Sequence, residues 1–323
     1  MKKNNYYYPP VKAYSHHAFP LSVILSNPHA FDWFLCNYIY VYFGGNINKY
    51  NFLVQYSNQP FLSLRDIHKK EFPSTMAHTD YYTWIRNKID DGYLILLFVD
   101  EYYLPKSANY LSNHIPHEIL IVGYDTDNCI YLSYINNILK EKSCKWQDII
   151  ISSDEYWGGN GIVAKLYSSR DGQFQYDENL IIKQLKDYLY SYNPYNDLAI
   201  WGDYYPYKDF IYGLKANNML LDYTIQESYF DIRYFDVVYE HKKCMHSRLQ
   251  VMYNRNNAGI ITEKDLAFWK DILDKSKLLL NRGIKYNIIY PNGNIPKKIL
   301  VDLINDYRSL FESEQNWLEN IIN

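Results

Sequence analysis

Residues 117–125 read His-Glu-Ile-Leu-Ile-Val-Gly-Tyr-Asp, and a second apolar run fills residues 129–135. This pair of runs constrains the fold more than any other feature. Two apolar strands separated by Asp125-Thr126-Asp127-Asn128 predict an antiparallel hairpin, because Asp and Asn side chains bond their own backbone in tight turns. The first strand opens on an imidazole. A histidine at the mouth of a sheet has its ring fixed by the strand while its edge faces a cleft, which suits proton transfer. Taken alone, the segment also fits a partly buried structural histidine.

Around the hairpin, residues 1–20 read as an irregular arm. Residues 29–43 form a long apolar-aromatic segment, read as a helix that Gly44-Gly45 stops. Asp32, Cys36 and Tyr40 recur every four residues and would share one face of that helix. Residues 84–89 read as a short helix ending near Asp90-Asp91-Gly92, and residues 93–99 as a buried strand. Residues 149–151 and 161–167 are expected to add strands around the loop at 157–160. Gly158-Gly159-Asn160-Gly161 lacks the lysine and hydroxyl of a phosphate loop and reads as a turn.

After about Arg170 the spacing turns helical, over 179–190, 235–252 and 300–322. Thr262 and Asp265 form a capping box, Leu266, Trp269 and Leu273 an apolar stripe, and Gly283 a stop. Two domains are expected, 1–170 and 171–323, the second mainly α-helical.

Hydrophobic residues make up 48% of the 323 and charged residues 21%, as in a folded chain rather than a disordered one. A net charge of −3 argues against general binding to nucleic acid or anionic membrane. No stretch approaches the ~20 apolar residues that cross a bilayer. Met1-Lys2-Lys3-Asn4-Asn5 leads into tyrosines and prolines rather than a signal-peptide core, so a cytoplasmic location is expected. The four cysteines are too few and too scattered for a disulfide framework, and with no Cys-x-x-Cys pair a structural zinc site has no support. His114 and His117 flank Ile115-Pro116 outside any helix, so no metal is expected there.

A helix bearing a cysteine, then a strand, then a histidine-headed hairpin is the order of parts in papain-like cysteine enzymes, where imidazole stabilises a thiolate across a cleft. The stretch Asp91-Gly92-Tyr93-Leu94-Ile95-Leu96-Leu97-Phe98-Val99-Asp100, then Tyr102-Tyr103-Leu104-Pro105, then residues 117–125 resembles the amino-terminal domain of the butirosin-biosynthesis acyltransferase family. Residues 29–45 and 240–245 resemble it more loosely. The resemblance is closest in type to the branch that forms amides in closthioamide assembly. It implies an α+β, papain-like core with an antiparallel sheet and a long nucleophile helix. It also implies an activity, the transfer of an acyl group from a carrier-protein thioester to an amine.

Two positions depart from the family pattern. His29-Ala30 stands where a His-Cys pair is common, so Ala30 marks either a lost nucleophile or a thiol that has moved to Cys36. Six helical residues separate them, about 600° of rotation, so both cannot serve one geometry. No aspartate follows the hairpin, which leaves Asn136 to orient the imidazole, with Asp125 as the second choice. The expected reaction is acylation of Cys36 by an acyl or peptidyl carrier protein carrying a phosphopantetheine thioester. A small amine then attacks, with His117 as general base and no cofactor or metal. Trp33, Tyr102 and Tyr103 would wall the site. Asn27 or Asn37 is a weaker candidate for an oxyanion donor. Lys242, Lys243 and Arg248 beside Cys244 read as a solvated face or as a dock for an acidic carrier protein. The rival expectation is a catalytically inactive relative that binds carrier proteins or a peptide as a scaffold. A third is a leader peptidase.

Overall fold

The computed structural model describes residues 1–44, 49–54, 59–67, 78–135, 138–156, 164–194, 210–255, 259–291 and 295–322. The fold is α+β with antiparallel sheets. The chain divides into two compact units, Met1–Ala30 with Pro60–Gln173, and Phe31–Gln59 with Phe174–Asn323. Relative to the expected boundary at 170, the difference is that 31–59 belong to the second unit.

The first unit is built on a sheet of seven antiparallel strands. Its order is β4 (Leu62–Ile67), β9 (Ala164–Ser169), β5 (Leu94–Asp100), β6 (Pro116–Tyr124), β7 (Asn128–Ile135) and β8 (Ile138–Lys145). A short β1 (Lys2–Lys3) pairs with the end of β6. The predicted hairpin is present as β6 and β7, and Asp125 Oδ1 accepts the amides of Asp127 and Asn128 at 2.9 and 2.8 Å. Helices α3 (His78–Asp90) and α4 (Trp146–Tyr156) cover one sheet face. Ile85 and Ile89 of α3, and Trp146 and Ile149 of α4, bury there with Ile95, Leu97 and Val99 of β5 and Ile119 and Ile121 of β6. Helix α3 stops as the sequence suggests. Gly92 takes φ of 91°, its amide bonds the Ile89 carbonyl, and the Tyr93 amide bonds that of Lys88.

Residues 149–151 are helical rather than extended. Trp146, Ile149 and Ile150 bury at helical spacing, with Asp148 in the first turn of α4. The amino-terminal arm is also more ordered than expected. Helix α1 (Ser15–Ile24) packs against β9 and β4, and Asn4 Nδ2 bonds the carbonyls of Ile89 and Tyr93. Gly123 lets β1 approach, since a Cβ there would lie 2.5 Å from the Lys2 carbonyl oxygen.

The second unit is mainly helical. It holds α2 (Ala30–Asn37), β2 (Val41–Gly44), β3 (Lys49–Phe52), α5 (Glu178–Tyr190) and β10 (Phe210–Tyr212). Helices α6 (Gly213–Glu227), α7 (Ile232–Arg255), α8 (Glu263–Ile289) and α9 (Lys297–Ile322) follow. The strands form one antiparallel sheet, β10-β2-β3.

The long helix expected over 29–43 is therefore eight residues long and gives way to a strand. Val41, Tyr42 and Phe43 favour extended backbone; all three pair with β3, and Tyr42 and Phe43 also with β10. Arg248 ends the helix by donating to the carbonyls of Leu35 and Tyr38 at 2.6 and 2.9 Å. The capping box at Thr262 forms, but α8 continues through Gly283. That glycine is a packing position, where a Cβ would meet the Phe230 ring at 2.2 Å. No helix among the described residues is long and apolar enough to cross a membrane.

Candidate functional site

Cys36 lies on α2 in the second unit, and its thiol donates to the Asp177 carbonyl at 3.8 Å. The residue is fully buried. Burial pushes the thiol pKa up, with the Arg248 charge opposing, so the protonated form is favoured. Tyr40, expected on the same helical face, lies beyond α2 and donates to Asp187 at 2.7 Å. Ala30 is buried at the start of α2, its amide on the Asn27 carbonyl.

Both asparagines considered for an oxyanion site are occupied. Asn27 Nδ2 bonds the Arg170 carbonyl, and Asn37 Nδ2 that of Trp33. Trp33 is buried, edge-on to Tyr38 at 6.3 Å, in the core of its unit.

His117 belongs to the first unit and opens β6 opposite Val99. Strand alternation gives it the side of Ile119 and Ile121. It is half-buried, with Nδ1 2.9 Å from the Glu118 carbonyl oxygen and its ring 5.9 Å from that of Tyr134. Glu118 takes a hydrogen bond from Ser15 Oγ at 2.7 Å. Glu118 lies on the opposite face, where it ties β6 to α1, a helix with no cysteine.

Asp125 does not orient the ring. It follows the far end of β6, eight residues or about 25 Å along a strand from His117. The amide of Asp127, then the side chain and amide of Asn128, hold its carboxyl below the usual range. Asn136 lies outside the described residues, as do 157–163.

The other three thiols are buried as well. Cys129 and Cys144 face each other across β7 and β8, and burial raises the pKa of both, that of Cys144 to about 12. Burial likewise raises Cys244 to about 12. Lys242 and Arg248 beside it are not a solvated face or a dock, because both are buried with partners.

Lys242 Nζ lies 2.5 Å from Glu314 and 3.3 Å from both Tyr188 Oη and His241 Nδ1. His241 Nε2–H donates to the Ile39 carbonyl at 2.9 Å, which leaves Nδ1 to accept from the ammonium. Asn217 links Tyr188 to Tyr50 by bonds of 2.9 and 2.6 Å. Burial, then Lys242, pulls the His241 pKa well below its ordinary value.

The link between β5 and β6 contains a pairing the sequence does not announce. His114 Nδ1 is 2.6 Å from Asp100 Oδ2; the imidazole side chain is 63% exposed and the carboxylate 12%. The ring stacks on Tyr102 at 4.2 Å and meets Tyr103 edge-on at 5.8 Å. Two of the three expected wall residues thus surround an imidazole, that of His114. Among the described residues, no group of three or more His, Cys, Asp or Glu side chains could hold a metal ion. No protein-family model matches the chain, and no curated protein matches it.

Proposed function

We propose that this chain is a thiol-silent relative of papain-like acyltransferases, a scaffold that binds a carrier protein or a peptide without forming a covalent intermediate. One observation carries the reading. All four cysteines are buried and free, and burial favours the protonated thiol at each. A thiol in that state is neither a nucleophile nor an acceptor for an acyl group. Acylation of Cys36 would require the Asp177 contact and the surrounding core to open first.

The binding half of the proposal rests on the loop between β5 and β6. Tyr110, Leu111 and Ile115 there are 44, 62 and 41% exposed, a local apolar surface on an otherwise ordered segment. The test is calorimetric titration with an acyl-phosphopantetheinyl carrier protein and with an unrelated leader-type peptide, followed by intact-protein mass spectrometry of each mixture. Binding heat without added acyl mass is expected. An acyl adduct that disappears in Cys36→Ser would overturn the reading in favour of covalent transfer. Absence of binding to either probe would overturn the scaffold.

A further inference from the structure

The geometry points to a chemical site in the first unit: His114, held by Asp100, is a general base that activates water against short-chain activated acyl esters. The inference shares the exposed apolar residues of the β5–β6 loop with the binding proposed above, and hydrolysis is read separately from binding. It rests on the contrast between an exposed ring and the buried carboxylate that fixes it.

Asp100 is held from three directions. Its Oδ1 accepts the Tyr102 amide at 3.0 Å, its carbonyl accepts from Ser152 Oγ at 2.6 Å, and Oδ2 faces His114 Nδ1. The carboxylate selects the tautomer with the proton on Nδ1, so the Nε2 lone pair is presented outward. Stacking on Tyr102 fixes the ring plane.

The loop behind the dyad is tied down as well. Glu101, 7% exposed, accepts from Ser107 Oγ at 3.0 Å and from Asn109 Nδ2 at 2.5 Å. The Leu111 amide bonds the Tyr102 carbonyl at 3.0 Å. Leu111 adopts φ of 53°, an unfavourable region for a bulky side chain, and yet is 62% exposed. Backbone strain is spent on presenting an apolar side chain to solvent near an oriented base. Tyr110 and Ile115 of the same loop are 44 and 41% exposed, apolar side chains of the kind a short aliphatic acyl chain would meet.

In the reaction, His114 Nε2 takes a proton from water as the water oxygen bonds the acyl carbon. The carbonyl oxygen carries the negative charge of the tetrahedral intermediate. Its collapse breaks the bond to the alcohol oxygen, which leaves with the proton returned by the imidazolium. Acid and alcohol are the products.

The experiment is hydrolysis of p-nitrophenyl butyrate by the full chain. Saturable turnover is expected, with kcat/KM lowered about 100-fold in His114→Gln. His114 is exposed, so this variant should keep the fold. Asp100 is a positioning residue, and Asp100→Asn should lower kcat about tenfold with KM unchanged. His29 is exposed and lies outside residues 100–115, and His29→Gln should leave the rate unchanged. A rate linear in substrate that His114→Gln does not alter would overturn the proposal, since free imidazole behaves that way. Equal losses in His29→Gln and His114→Gln would overturn it too.

Discussion

Arg248 illustrates how a single side chain ends the helix that bears Cys36. Its guanidinium is fully buried and divided among the carbonyls of Leu35 and Tyr38 and the sulfur of Met245. It acts as a helix terminator, and burial pulls its pKa down to about 10. A lysine offers one point charge in place of a planar fork, so Arg248→Lys should lower stability by about 1–3 kcal/mol, read from the denaturant midpoint. An unchanged midpoint would show that the carbonyls find other donors. Gly123→Ala should cost about 1–3 kcal/mol for a similar reason, since its Cβ would press on the Lys2 backbone. At this scale the sequence was legible where chemistry is local. The Asp125 turn and the Gly92 stop need only near neighbours. The His114–Asp100 pair spans fourteen residues and depends on how the loop closes.

Helix α7 carries the buried titratable side chains of Glu240, His241, Lys242 and Arg248. Glu314→Gln would leave the Lys242 ammonium buried without its counter-charge, at a cost of about 3–5 kcal/mol by urea denaturation. His241 gives the pH dependence its sign. Its folded pKa is depressed, so below about pH 6.5 the unfolded chain binds a proton that the folded chain does not. Stability should therefore fall as pH drops from 7 to 5. His241→Gln should flatten that portion of the curve; a slope equal to that of the parent would place its origin elsewhere. Spacing revealed α5, α7, α8 and α9 because each has one apolar face. It failed for residues 29–43, where aromatic and β-branched residues fit a helix and a strand equally well and the partners β3 and β10 decide. Residues 149–151 failed for the same reason: a short apolar run has no readable period.

For the molecule as a whole, the decisive feature is that residues 31–59 leave the first unit and complete the second. The Leu35 and Tyr38 carbonyls bound by Arg248, the Ile39 carbonyl bound by His241, and strands β2 and β3 all lie in that segment. A fragment of residues 174–323 should therefore melt without a cooperative transition by circular dichroism. A sharp melt would show that the helices fold without it. A sequence scanned for composition marks the change near 170 but is blind to a segment that departs and returns. The chemistry follows the same division, with Cys36 in one unit and His117 in the other. Native thiol titration puts the central claim to the most direct test. In the folded protein at pH 7, a disulfide reagent should find no rapidly reacting thiol, and after denaturation it should find all four. One fast thiol in the native state, lost in Cys36→Ser, would contradict thiol silence.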